Sequence, residues 1–446
     1  MNKNSSNPAF LEIQALDHIQ GEIRLPGSKS ITNRVYILAA LARGETRLHN
    51  ILWSDDTLAM AESLEKLGVK GIEVSDDFKD VTIPGQNGRF PAEKADLFVG
   101  NSGTSIRFLT AAIALGKGEF TLTGIERMKE RPIRDLVDAL SQIGAKIDYA
   151  ENAGFPPIVL HANGLHGEVL HIRGNVSSQY LTAILLAAPC MQKPLKIVVD
   201  GELISKPYVT MTLRMMRDFG VEVKNLDFKE FHVPNIGYTS PGDYDIEGDA
   251  SSASYALAAA AISDGPVRLL GLDDNSMQGD IHFADVLTEM GAKISYGKGF
   301  VESRRGEFPL RAIDKDLSAI PDAAMTVAAL CLFAKGTSTI RGIHSWKVKE
   351  TDRIQAMVNE LSKTGAAVSA TDDSITITPP KEFLSAEFET YNDHRMAMCM
   401  SLAAFGIQKQ NSIRILDPLC VNKTYPAYWK HLKTLTGASF EIPRVK

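Results

Sequence analysis

Six times along the chain an amphipathic helical pattern stops at a glycine, a small residue follows, and a strand-like stretch begins. The copies are SLEKLGVKGIEV, VDALSQIGAKIDY, RMMRDFGVEV, DVLTEMGAKISY, VNELSKTGAAVSA and KHLKTLTGASFEI, with glycines at 68, 144, 220, 291, 365 and 437. Glycine ends a helix because it enters the left-handed region without a Cβ penalty. A local helix stop does not explain why successive glycines stand 71 to 76 residues apart. That spacing requires a repeated supersecondary unit. Leu64, Leu140, Met216, Leu287 and Leu361 each stand four residues before the glycine, whereas the sixth copy has Lys433 there.

A second theme alternates with the first. SKSITNRVYILAALA, NSGTSIRFLTAAIAL, SSQYLTAILLAA, DASSASYALAAAA, PDAAMTVAALCLFA and NDHRMAMCMSLAAF begin with small or polar residues and become almost wholly apolar. A helix apolar on nearly all faces belongs in an interior. Each is followed by a β-like segment: ETRLHN, EFTLTG, LKIVVD, PVRLLG, TSTIRG or SIRILD. One unit therefore reads as buried helix, strand, surface helix and two or more strands, an α/β architecture. Six such units in 446 residues exceed one ordinary core. The division falls as three plus three, with a break in the Gly/Asp/Ser-rich stretch 240–252. Residues 27–246 are expected to form one three-repeat domain. Residues 1–26 and 247–446 form a discontinuous second one, with FLEIQALDHIQGEIRLPG pairing against the last unit.

The bulk properties exclude more than they assign. A formal net charge of −6 gives no general grip on nucleic acid. No apolar run reaches membrane-spanning length, and MNKNSSNPAFLEIQ lacks a signal-peptide core. The four cysteines, 190, 331, 399 and 420, have no metal-ligand spacing and read as core thiols of a cytoplasmic protein. There is no GxxxxGK[ST] phosphate loop, and no GxGxxG follows a strand. No metal or organic cofactor is expected.

Charge enters where the buried helices begin. Ser30 and Arg34 share a face of the first, with Lys29 beside them, and that helix runs on into VYILAALA. Cations bordering an interior call for an anionic partner. The second start, GNSGTSIRF, offers Asn101, Gly103 and Arg107, and the loop MKERPI adds Arg131. Ser177, Ser178 and Gln179 open the third, and ISKPY contributes Ser205 and Tyr208. Asp322 is the only charge in IPDAAMT, where an N-cap is an equally good reading. SWKVKETDRIQ carries Lys349, Glu350 and Arg353; Lys349 and Arg353 lie four apart on one helical face, and taken alone a solvated charged face is the favoured account. Asp393, His394 and Arg395 precede the sixth helix, and Lys423 stands in LCVNKTYP. So many cations, with only Asp322 and Glu350 as reactive acids, suit phosphate and carboxylate ligands. Helix N-termini add to that preference, and either acid can serve as a general base.

Taken in order, LPGSKSITNR, GNSGTSIRF, RMKERPI, NVSSQY, EGDASSASY, NSMQGDI, IPDAAMT, VKETDR, YNDHRMAM and the NKTYP lysine resemble the EPSP synthase family of enolpyruvyl transferases over nearly the whole chain. The resemblance implies two similar domains, each of three βαβαββ units around buried helices, an inside-out α/β barrel. It implies transfer of the enolpyruvyl group of phosphoenolpyruvate to the 5-hydroxyl of shikimate 3-phosphate by addition and elimination, with phosphate released. On that basis Asp322, Glu350 and Lys29 are catalytic. Lys29, Ser30, Arg34, Ser177, Ser178, Gln179, Ser205, Asp322, Ser345 and Lys349 bind shikimate 3-phosphate. Lys29, Gly103, Arg131, Gln179, Arg353, Arg395 and Lys423 bind phosphoenolpyruvate. Asn101, Arg107, Tyr208 and His394 line the same regions. The resemblance further implies a monomer inhibited by glyphosate at the phosphoenolpyruvate site, with no nucleic-acid or membrane partner, whose halves close on substrate. Two positions depart from the family pattern: Ser345 where many relatives carry Asn, and Phe108 where many carry Pro. Two other functions compete. A carboxyvinyl transferase acting on a UDP-amino sugar shares the fold but typically uses a cysteine in its first domain, and here no cysteine precedes Cys190. A phosphometabolite-binding protein without chemistry has no need of both Asp322 and Glu350.

Overall fold

A computed structural model of the chain describes residues 10–442. They divide into two compact units. The first lobe is Pro26–Glu247 with Met277–Gly279; the second is residues 10–25, Gly248–Ser276 and 280–442.

The first lobe is built on three buried helices, α1 (Lys29–Leu41), α2 (Gly103–Ile113) and α3 (Ser178–Ala187). Each starts at a serine whose side chain accepts a backbone N–H of the first turn: Ser28 from Ile31, Ser102 from Ser105, Ser177 from Gln179. These caps satisfy donors that a helix end leaves open. Every residue of α2 is buried, and α1, α2 and α3 pack against one another. Truncating a core side chain such as Leu109 costs about 2–5 kcal/mol at such sites. One polar contact inside the packing crosses between helices, Asn33 Nδ2 to Thr104 Oγ1 at 2.7 Å.

Around the helices lie three four-stranded sheets of identical pattern, a parallel pair followed by two antiparallel neighbours. In the middle unit Lys94–Phe98 runs parallel to Lys117–Thr123, which pairs antiparallel with Ile158–Asn163 and then Lys146–Tyr149. In the first unit the outer parallel strand is Asp243–Asp245, supplied from after the third unit, so the three repeats close on themselves.

The second lobe repeats the plan around α4 (Ala250–Ile262), α5 (Ala324–Leu330) and α6 (His394–Ser401). Its N-terminal strands complete two units. Gly21–Arg24 runs parallel to Val267–Leu270, and Phe10–Gln14 runs antiparallel to Ser412–Leu416. All six repeat glycines take positive φ, from 67° at Gly437 to 109° at Gly291, as a helix stop there requires. The sixth repeat departs from the pattern: no strand follows Gly437 through residue 442, and Phe10–Gln14 holds the antiparallel place beside Ser412–Leu416. No helix among the described residues is long and apolar enough to cross a membrane.

Candidate active site

In the second lobe the charged residues around α5 and α6 form one connected cluster. Asp322 ends the loop before α5, one residue ahead of the N-cap position, Ala323. It does not cap the helix. Its Oδ1 lies 3.0 Å from Arg353 Nη1 and 3.6 Å from Lys349 Nζ, and its Oδ2 accepts from Arg395 Nη2 at 2.9 Å. Burial pushes the Asp322 carboxyl up, but Arg395, Lys349 and Arg353 together outweigh it and hold the group well below the usual carboxylate range.

Arg353 opens the helix Arg353–Ser362 and is 1% exposed, so the solvated-face account of this segment fails. Its Nη2 donates to Glu350 Oε2 and its Nε to Asp393 Oδ2, both at 2.7 Å. Burial alone would lower the guanidinium's pKa; Asp393, Glu350 and Asp322 reverse that and raise it. The shared-face argument for Lys349 and Arg353 also fails. Lys349 precedes the Asp352 N-cap, following the 3-10 turn His344–Val348 that contains buried Ser345. A fold back in the chain, rather than helical spacing, brings both cations to Asp322. Lys423 ends the turn Pro418–Lys423 with Nζ 3.9 Å from Glu350 Oε1. His394 is fully buried at the start of α6, with Nδ1 3.4 Å from Asp393.

The first lobe arranges its cations differently. Arg34, 1% exposed on α1, donates from Nε to Thr212 Oγ1 at 2.9 Å and from Nη1 to Ser30 O at 2.8 Å. Burial depresses its pKa to about 10. Arg107 on α2 donates to Gln179 Oε1 and to Pro132 O and lies over the Tyr180 ring at 5.1 Å. Arg131 directs Nη1 at the Asn101 carbonyl and amide oxygens, 2.7 and 3.1 Å away. It caps a short helix, Glu126–Glu130, in the segment read from sequence as loop. Gly103 is needed for close approach: a Cβ there would collide with Arg131 Nη2 and stand 2.9 Å from Arg107 Nη1. Lys29 is the exception in this lobe, with Nζ 3.4 Å from the buried carboxylate of Asp56. Ser177 is the α3 N-cap, with Ser178 buried beside it. Ser205 takes φ 53° ahead of the helix Lys206–Asp218, and its carbonyl accepts the Tyr208 N–H. A left-handed serine costs energy and marks a constrained turn.

The structure thus joins Asp322, Lys349, Glu350, Arg353, Arg395 and Lys423 within the second lobe. Gly103 meets Arg107 and Arg131 in the first lobe, while Arg34 joins Ser30 through the α1 backbone. Sequence reading missed their supports. Asp393, seen only as part of a helix start, accepts both from Arg353 and from the Arg395 backbone N–H. Tyr255 on α4 holds Arg395 Nη1 through its hydroxyl at 3.1 Å. Asp280, in the NSMQGDI motif, is buried, accepts from Ser251 Oγ, and is pushed up to about 6 by burial, with the Asp322 charge the next cause. Of these, only Asp393 and Asp280 carried a local signal, as acids inside otherwise apolar or small-residue motifs.

Comparison with known proteins gives the family. The family model for EPSP synthase (3-phosphoshikimate 1-carboxyvinyltransferase) matches residues 13–432. The chain is 50% identical to the 3-phosphoshikimate 1-carboxyvinyltransferase of Herminiimonas arsenicoxydans, covering 98% of this chain and 99% of that one. It is 50% identical to the enzyme of the same name from Vibrio vulnificus, covering 96% and 99%. The solved EPSP synthase of Acinetobacter baumannii superposes with a TM-score of 0.80 at 25% identity, over 98% of this chain and 99% of that chain. The enolpyruvyl transferase NikO from Streptomyces tendae shares the fold at a TM-score of 0.77 and 19% identity, over 97% and 98%. The chain therefore belongs to the EPSP synthase family, and it is a transferase of the enolpyruvyl-transferring type in the shikimate pathway.

Proposed function

We propose that this enzyme moves the enolpyruvyl group of phosphoenolpyruvate onto the 5-hydroxyl of shikimate 3-phosphate. Ser30, Arg34, Ser177, Ser178, Gln179, Ser205, Ser345 and Lys349 hold the phosphosugar acid, together with Lys29 and Asp322. Gly103, Arg131, Arg353, Arg395 and Lys423 hold phosphoenolpyruvate, with Lys29 and Gln179 serving both. The observation that carries the reading is the convergence of Arg353, Lys349 and Arg395 on one carboxylate, Asp322. A carboxylate so strongly neutralised is ionised but weakly basic. Anionic substrates that engage those cations draw their charge away and raise its basicity as the reaction begins.

Asp322 then takes the 5-hydroxyl proton as that oxygen bonds to the enol carbon. Glu350, with Lys29, delivers a proton to the methylene carbon, giving a tetrahedral adduct bound without a covalent link to the enzyme. Elimination removes a methyl proton, expels phosphate and leaves the enolpyruvyl ether. Glyphosate competes for the phosphoenolpyruvate groups, and the chain works as a monomer. The test is phosphate release from phosphoenolpyruvate, measured with shikimate 3-phosphate present or omitted and with a UDP-amino sugar in its place. Release that depends on shikimate 3-phosphate is expected. Release that depends on the UDP-sugar, or absence of release with either acceptor, overturns the reading.

A further inference from the structure

Arg34 is a buried cation with no carboxylate among its partners in the described chain. Two of its nitrogens reach neutral oxygens, Thr212 Oγ1 and Ser30 O, and Nη2 donates to no acceptor among the described residues. A further contact is aromatic: the guanidinium carbon lies 5.2 Å from the centre of the Phe108 ring, which is fully buried on α2, and Tyr208 is an electrostatic neighbour that favours the charged form. A ring face attracts a cation electrostatically, and most strongly where water is excluded. The Thr212 hydroxyl is itself fixed, donating to Tyr208 O at 2.8 Å and accepting from Arg34. Phe108, Thr212 and the Ser30 carbonyl therefore hold three sides of the guanidinium without supplying a counter-charge.

We propose that Phe108 is a positioning residue that holds the Arg34 guanidinium through its ring face, with Nη2 left to take an oxygen of shikimate 3-phosphate. The proposal rests on the reading of Arg34 as a ligand of that substrate. An acid in place of the ring would fix the arginine equally well but would cancel the charge the substrate needs. A neutral aromatic face stabilises the cation and leaves its positive charge available.

The experiment compares steady-state kinetics of Phe108→Leu, Arg34→Ala and the double variant, together with full-length enzyme carrying ring-fluorinated phenylalanines at position 108. Phe108→Leu is expected to raise KM for shikimate 3-phosphate roughly five- to thirtyfold, with kcat and KM for phosphoenolpyruvate nearly unchanged. In the Arg34→Ala background the same change should have less than about a twofold effect, because interacting residues are non-additive. Fluorination weakens the ring's negative face while nearly preserving its shape, so KM should climb with fluorine number even if the leucine variant folds poorly. Arg34→Ala raising KM while Phe108→Leu and the fluorinated series leave it unchanged would overturn the role of Phe108 and leave the function standing. Arg34→Ala leaving KM for shikimate 3-phosphate unchanged would overturn the ligand reading itself, and the proposal with it.

Discussion

Arg34 in the first lobe and Arg353 in the second are each 1% exposed, yet they are held in opposite ways. Arg353 is surrounded by Asp322, Glu350 and Asp393 and its pKa is raised. Arg34 meets a hydroxyl, a carbonyl and a ring, and its pKa falls to about 10. Arg107, the next buried arginine of the first lobe, repeats the neutral pattern with an amide oxygen, a carbonyl and the Tyr180 face. A buried charge without a counter-charge is costly, and a fold keeps one where a ligand will supply the missing sign. On the proposed function the first lobe is therefore organised to grip an anion. The second keeps acids among its cations, which proton transfer requires and anion binding alone does not.

The sharpest break of this comparison removes the acid. Asp322→Asn keeps the shape and should lower kcat by roughly 10²–10⁴ in a phosphate-release assay. The same variant tests the electrostatics. A carboxylate whose folded pKa lies below its unfolded value, about 3.9, stabilises fully above that value and loses the contribution as pH falls through the folded pKa. The stability gap between wild type and Asp322→Asn, read by denaturant unfolding, should persist at pH 7 and close below about pH 4.

Next in size is a pair of stability measurements. Arg353→Met strands Asp393, Glu350 and Asp322 without their shared cation and should cost about 3–5 kcal/mol in unfolding free energy. Arg34→Met strands no acid, and its unfolding free energy should change by less than about 1 kcal/mol or rise. Equal losses at the two sites would erase the distinction between the lobes.

Smaller effects follow at the supports. Gly103→Ala forces a methyl into the place of the Arg131 and Arg107 guanidinium groups. It should raise KM for phosphoenolpyruvate about tenfold and weaken glyphosate inhibition, since misplacing one charge-assisted bond costs roughly 1.5–3 kcal/mol. Tyr255→Phe removes one hydroxyl from Arg395 and should reduce kcat/KM for phosphoenolpyruvate only about two- to tenfold.

The lobes also differ in how far their sites could be read from the chain. The six glycines were legible because a left-handed helix stop tolerates almost nothing else, and the starts of the buried helices because small or polar residues stand there, where the structure finds the caps Ser28, Ser102 and Ser177. The buried cations were legible as charges at the edge of apolar helices. Their partners were not. Thr212 meets Arg34 from 178 residues away, and Tyr255 meets Arg395 from 140. Nothing local distinguishes that threonine or tyrosine from any other core residue. Lys349 was placed for the wrong reason, by helical spacing that the Asp352 cap interrupts. The sixth repeat was over-read because a sequence pattern cannot show that an N-terminal strand, Phe10–Gln14, already occupies the place beside Ser412–Leu416.

The division of labour between anion grip and proton transfer is tested most directly by titrating shikimate 3-phosphate in the phosphate-release assay at saturating phosphoenolpyruvate, for Asp322→Asn and Arg34→Ala side by side. The account predicts that Asp322→Asn loses kcat with less than about a threefold change in KM, while Arg34→Ala raises KM by at least about tenfold and keeps most of kcat. The reverse partition, or the same kinetic defect in both variants, would contradict it.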